Sequence, residues 1–268
     1  MNKIVILLKK IVISFFKSFN IRLSIHKINK YSEYEDINKY EWQPFVDLKE
    51  NYYLKIYFDG LRKSKSTNSD NIFKQLRFYT LFQLVKYSIK KNNEYNFAEC
   101  GCWKGHSSYS ISKILIDNNF KNKFYIFDSF EGGLSNQTQK DINNSNSNIN
   151  TSNFLIKKKY FSSNYEDVKN VLKNFSFIEV YKTWIPNKFE LIKDKQFQFV
   201  HIDVDLYQPT LDALKFFYPK LVKGGILVCD DYNSTEFPGA KKAWDEYFTN
   251  IEINFFHETV FGGCYLIK

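Results

Sequence analysis

A chain of 268 residues is long enough for one α/β domain with extensions and a sizeable buried core. Its formal net charge of +9 would normally raise nucleic acid or an anionic surface as a partner, but the charge is local. Residues 1–30 carry Lys3, Lys9, Lys10, Lys17, Arg22, Lys27 and Lys30 and no acid, while the rest holds 31 bases against 29 acids, which disfavours a nucleic-acid binder that uses its whole domain.

Residues 3–23 (KIVILLKKIVISFFKSFNIRL) place Lys3, Lys10 and Lys17 seven residues apart on one helical stripe, with Leu7, Leu8, Ile11, Phe15, Phe19 and Leu23 largely opposite. Lys9-Lys10 splits the apolar run, so the segment is too short for a transmembrane span, and no small-residue cleavage site follows it. Residues 1–30 read as a basic amphipathic helix. Its two readings are peripheral contact with anionic lipid and packing on its own domain or on a second subunit of a homo-oligomer.

Residues 31–69 form an irregular extension with a short helix near Tyr52–Leu61. Helical periodicity then runs over Asp70–Lys91. From Asn96 onward strands alternate with helices. Strands are expected at Asn96–Cys100, Phe124–Phe127, Phe177–Tyr181, Phe197–Ile202 and Ile226–Cys229, with two closing strands at Ile253–His257 and Tyr265–Ile267. Helices are expected at His106–Ile116, Ser162–Asn174, Thr210–Leu221 and Ala240–Phe248, with Gly224-Gly225 terminating the third. This order implies an α/β, doubly wound Rossmann-like sheet of seven mostly parallel strands, with helices on both faces and an N-terminal helical extension. The domain proper is 70–268. Residues 135–153 (SNQTQKDINNSNSNINTSN) interrupt it as an insertion too polar to pack, either disordered or a lid beside a ligand crevice.

Cys100, Cys102, Cys229 and Cys264 are too few and scattered for a disulfide scaffold, which suits a reducing, cytoplasmic setting. Cys229 and Cys264 lie in apolar runs and read as core.

Three segments that follow strands carry chemistry. In Glu99-Cys100-Gly101-Cys102-Trp103-Lys104-Gly105-His106-Ser107, glycines at a strand-to-helix turn allow close backbone approach, and the helix start favours an anionic group. In Phe127-Asp128-Ser129-Phe130-Glu131-Gly132, an acid ends the second strand, where a doubly wound fold binds ribose hydroxyls. The strongest signal is the pair His201-Ile202-Asp203-Val204-Asp205 and Cys229-Asp230-Asp231 at successive strand ends. Acids crowded at the tips of apolar strands need a cation, and Asp203, Asp230 and Asp231 form an all-oxygen set suited to Mg²⁺. Asp205 is then the nearby carboxylate able to take a proton from a hydroxyl, and His201, facing the same way as Asp203, is a second catalytic candidate. For His201 and His106 alike, a structural histidine is the plainer alternative.

These motifs, together with Asp-Leu-Tyr-x-x-Thr-x-Asp-Ala-Leu, Tyr-Pro-Lys-Leu-x-x-Gly-Gly, Asp-Asp-Tyr and Pro-Gly-Ala-Lys-Lys-Ala in order, resemble the macrocin O-methyltransferase (TylF/MycF/NovP) family over residues 70–268. The resemblance implies a class I S-adenosylmethionine-dependent methyltransferase with Mg²⁺ that methylates a sugar hydroxyl of a small molecule or glycan. It implies Glu99, Gly101 and Gly105 around the methionine part of the cofactor and Asp128 with Ser129 at the ribose, with His106 and Ser107 at the same turn as further cofactor-binding candidates. It also implies Asp203, Asp230 and Asp231 on the metal and Asp205 as base. Separately, the abundance of Lys, Asn, Ile, Phe and Tyr over Arg resembles the bias of an AT-rich genome and fits a bacterial surface-polysaccharide pathway. Lys182-Thr183-Trp184 departs from the family's Lys-Gly-aromatic pattern on the adenine side. Rival readings are a methyltransferase of a catechol-like compound, a non-catalytic membrane-associated scaffold, and a hydride-transfer enzyme, the last lacking GxGxxG.

Overall fold

The structure, a computed structural model, describes residues 52–142, 159–234, 237–259 and 262–268, together with Val12, Ser14 and Phe15. The chain divides into a unit at Met1–Gln43 and a unit at Pro44–Lys268. Of the first, Val12, Ser14 and Phe15 are helical and exposed, and the rest of the expected basic helix lies outside the described residues. Among the described residues no helix is long and apolar enough to cross a membrane.

The second unit begins with helix α1 (Tyr52–Lys63), a 3-10 turn at Thr67–Ser69 and helix α2 (Ile72–Lys91). Asn71 caps α2 by accepting the Lys74 amide at 2.9 Å. Strands and helices then alternate: β1 (Asn96–Cys100), α3 (His106–Asp117), β2 (Phe124–Asp128), α4 (Tyr165–Leu172), β3 (Ile178–Lys182), β4 (Phe197–Ile202), α5 (Tyr207–Lys220), β5 (Leu221–Cys229), α6 (Gly239–Phe248), β6 (Phe255–Glu258) and β7 (Cys264–Ile267). The sheet order is β3-β2-β1-β4-β5-β7-β6, with β7 running against both its neighbours. The order reverses beside β1 and β4, and this is where an open α/β sheet leaves a crevice at its carboxyl edge.

Two cores cover the two faces. Phe97, Phe124, Ile126, Phe199 and Val228 pack against α1, α2, α3 and α4. Ala98, Cys100, Phe127, Val200, Ile202 and Leu227 pack on the other face against α5 and α6, with Leu214, Phe217 and Trp244. Phe197 and Phe199 would share a face by simple alternation. A register shift between them turns Phe199 to the opposite core, and the intervening Gln198 side chain accepts the Tyr95 amide. Cys229 and Cys264 oppose each other across β5 and β7 as buried free thiols, in keeping with their reading as core.

Two expectations are corrected here. Gly224-Gly225 does not end α5. That helix stops at Lys220, and the glycines lie inside β5, where Gly224 (φ 77°) and Gly225 exchange backbone hydrogen bonds with Lys268. β4 and β5 pair from Phe197↔Leu221 to Phe199↔Ile226, so the extra residues form a bulge that only glycine conformations make compact. The insertion at 135–153 is also not uniformly loose. Gln139–Asp141 forms a 3-10 turn, and Asp141, only 2% exposed, accepts the Tyr207 amide at 2.6 Å. It thereby caps α5, whose own N-cap residue, Leu206, has no polar side chain to do so. Residues 143–153 of the insertion lie outside the described residues.

Candidate active site

At the carboxyl edge of the sheet a cavity of 1120 Å³ opens between the ends of β1, β2, β4 and β5 and the first turns of α2. Its walls are set by backbone bonds that continue past the strand ends. Gly101 donates to the Phe127 carbonyl at 2.8 Å, Asp203 to Cys100 at 2.8 Å and Asp230 to Ile202 at 2.9 Å. Each chemistry-bearing residue therefore leaves its strand at a fixed height on the cavity rim.

The acids of the fourth and fifth strands converge. Asp203, Asp230 and Asp231 bring one carboxylate oxygen each within 4.8 Å of one another. Asp231 also accepts the Asp205 amide at 2.9 Å, which holds Asp205 at φ 58° with its carboxylate lining the same cavity. Burial, then the charge of Asp230, pushes the Asp203 carboxyl up to about 8. Burial and neighbouring carboxylates likewise raise Asp205 and Asp231 well above the ordinary range. The sequence reading did not find the cation that answers them: Arg77 of α2 sits 2.7 Å from Asp230. Lys74, one turn earlier, is also buried on the cavity wall. A signal for both existed, because Lys74 and Arg77 are in phase with the buried stripe of Phe78, Leu81 and Val85, where a solvated charge has no place.

The β1–α3 turn is clamped by Asp128. Its Oδ2 accepts the amides of Cys102 and Trp103 at 2.9 Å each, and Oδ1 accepts that of Phe130 at 3.0 Å. Burial raises its pKa, and these three amides pull it back. The carboxylate thus shapes the turn, and Asp128 lines the cavity with acceptor capacity left on Oδ1, which takes one amide only. Gly101, His106, Ser107, Ser129 and His201 line the same space, as do Thr183 and Trp184.

Glu99 and Gly105 do not line it. Gly105 (φ 81°) is the N-cap of α3 and faces Val168, so it serves the turn rather than a ligand. Glu99 is fully buried on the α1–α3 side of β1, accepting the Ser108 hydroxyl and lying 2.9 Å from His201 Nδ1. Burial works against the His201 imidazolium, but the hydrogen bond and charge of Glu99 outweigh it and hold the pKa at about 9. The period-2 alternation of β1 explains this: Glu99 shares the face of Phe97, under the helices, while Ala98 and Cys100 face the other core.

Glu99→Gln is therefore expected to cost about 3–5 kcal/mol in a thermal or denaturant melt, because it strands a buried imidazolium. The loss should be full below pH 6.5, the unfolded histidine value, and should fade as pH rises through about 9, where His201 gives up its proton in the native state. Unchanged stability at pH 6 would sink this structural assignment.

The profile of the macrocin O-methyltransferase (TylF) family matches residues 67–260. The chain belongs to that family. It is similar to the demethyldecarbamoylnovobiocin O-methyltransferase of Streptomyces niveus, 24% identical over 189 residues that make up 66% of this chain and 67% of the relative. In fold it is similar to the O-methyltransferase NovP (TM-score 0.60, 20% identity, covering 80% of this chain and 98% of that one) and to CalS11, a calicheamicin methyltransferase (TM-score 0.55, 15% identity, 91% and 99% covered). The doubly wound fold read from the sequence is thus the fold of an O-methyltransferase.

Proposed function

We propose that this methyltransferase transfers a methyl group from S-adenosylmethionine to a hydroxyl of a sugar, with Mg²⁺, in the assembly of a bacterial glycan. The observation that carries the metal is the cluster of Asp203, Asp230 and Asp231. Three oxygen donors within 4.8 Å of one another, desolvated and mutually repelling, fit a hard divalent cation. Arg77 pairs directly with Asp230 and its single charge acts on Asp203, Asp205 and Asp231 as well, so it offsets only part of the charge of four acids. When bound there, Mg²⁺ would lower the pKa of an acceptor hydroxyl and hold it in place.

The chain's own groups supply the rest. Asp205 has its backbone fixed by Asp231 and is the cavity acid left outside the metal set, so it takes the hydroxyl proton. Asp128 Oδ1 accepts from a ribose hydroxyl of the methyl donor, while Gly101 keeps the turn close against Asp203 on the rim that the donor meets. His201, locked to Glu99, lines the cavity beside the acids and acts on Asp203 through its charge. The gain in rate comes from positioning and from charge stabilisation. The basic segment 1–30 supports an acceptor presented at an anionic membrane surface, such as a lipid-linked glycan.

One experiment separates these parts. Full-length protein is incubated with labelled S-adenosylmethionine and panels of nucleotide sugars, lipid-linked glycans on anionic vesicles, and catechols, each with Mg²⁺ or with chelator. Label in a sugar only when metal is present is the expected result. Label confined to the catechols would overturn the sugar assignment, and equal turnover in chelator would overturn the metal.

A further inference from the structure

The methionine end of S-adenosylmethionine carries an ammonium and a carboxylate, so its receptor has to offer an acceptor and a cation. Glu99, the acid that the family resemblance places around the methionine part, is buried on the helix-covered face of β1 and already engaged by Ser108 and His201. Two other side chains reach the cavity beside the same turn.

His106, 4% exposed, opens α3 and lines the cavity. Its Nε2 is 2.9 Å from the Tyr57 carbonyl, which can only accept, so the proton is on Nε2. Burial and the nearby Lys74 charge hold its pKa well below the ordinary value, so the ring is neutral and Nδ1 is a lone-pair acceptor. That Nδ1 is buried and has no partner in the protein. The ring has little freedom to turn away, since it stacks on Phe78 at 4.2 Å and α1 presses on it at Gly60, where a Cβ would come within 2.7 Å of His106 Cδ2.

Lys74, 9% exposed, lines the same wall. Its ammonium donates to Ser69 Oγ at 2.6 Å and lies over the rings of Phe78 and Trp103 at 5.6 and 5.9 Å. A cation buried this far with a hydroxyl as its hydrogen-bond partner has donors to spare for an anion.

We propose that Lys74 and His106 together receive the amino-acid end of the methyl donor, Lys74 binding the carboxylate and His106 Nδ1 accepting from the ammonium. This rests on the methyltransferase reading; it gives His106, already a candidate at the cofactor turn, its partner in the ammonium, and it adds Lys74 of α2, which the resemblance does not name.

Calorimetry on the full chain tests it with three ligands: S-adenosylhomocysteine, its decarboxylated analogue, and 5′-methylthioadenosine, which lacks the amino-acid end altogether. Lys74→Met is expected to weaken S-adenosylhomocysteine by about tenfold or more while leaving the other two unchanged, and Lys74→Arg to restore most of the loss. His106→Phe, which keeps the stacking, should weaken both ligands that carry the ammonium and spare 5′-methylthioadenosine. Equal losses for all three ligands, or no loss for S-adenosylhomocysteine in Lys74→Met, would overturn the assignment. Should His106→Phe fail to fold, the Lys74 pair decides. Wild-type protein that binds none of the three overturns the methyltransferase reading itself, an outcome distinct from a wild type that binds and variants that do not differ.

Discussion

Asp203→Asn is expected to lower kcat by about 10³-fold while leaving the protein folded, and in chelator at pH 8 to raise its melting temperature above that of the wild type. The two effects have one cause. Asp203 is held beside Asp230 in a desolvated cluster, and its carboxyl is pushed up to about 8 from an unfolded value near 4. The native state therefore holds that proton more tightly than the unfolded chain. Wild-type stability without metal should fall as pH rises from about 4 through about 8, and the asparagine variant escapes this part of the loss. Added Mg²⁺ should reverse the order, stabilising the wild type more than the variant. Melts at pH 5 and pH 8, with Mg²⁺ and with chelator, check all four corners. A variant less stable than the wild type in chelator at pH 8, or one that keeps full turnover, would show that the cluster is a structural cap rather than a cation site.

The second large effect is expected at Gly101. It sits at φ 82°, and a Cβ there would lie 1.8 Å from the backbone carbonyl oxygen of Asp203. Backbone cannot swing aside as a side chain can, so Gly101→Ala must either push β1 and β4 apart at the cavity rim or fail to close the turn. A loss of about 4 kcal/mol or more follows, from left-handed strain plus the clash. Gly132 is the control: its φ is 79° but nothing lies within 4 Å of a Cβ, so Gly132→Ala should cost only about 1–2 kcal/mol. Denaturant melts of the two variants compare them directly, and similar losses would show that φ alone, not the approach of the two strands, sets the demand for glycine at Gly101.

Much of the site could be read without coordinates because its logic is local. An acid at the last residue of a buried strand must emerge at the sheet edge, so Asp128, Asp203, Asp230 and Asp231 were found from strand ends alone. The strands themselves were legible as short apolar runs, and six of the seven start within two residues of the expected positions; β5 starts five residues early, at Leu221. What failed were inferences that needed a second segment. Glu99 was placed with its ligand-facing neighbours because it stands in the right motif. Whether its carboxylate looks to the cavity or under the helices depends on which face of β1 it occupies, and His201, 102 residues away, completes the pair that holds it.

Asp141 shows the same limit. In the sequence it belongs to a polar tract without pattern, yet it caps α5 from 66 residues away and requires the bare Cα of Gly239, where a Cβ would lie 1.8 Å from its Oδ1. Lys74 and Arg77 carry a helical-phase signal, but which acids they face emerges only when α2 lays them on the cavity wall. The α/β alternation, the acids at the carboxyl edge and the confinement of excess positive charge to residues 1–30 are all legible along the chain. Each of these depends on periodicity or on neighbours along the chain. Which charges oppose which emerges in the folded arrangement. Desolvation and Coulomb energy depend on distance through space, and the helix that supplies the cations is joined to the strands that supply the acids by nothing the one-dimensional pattern records.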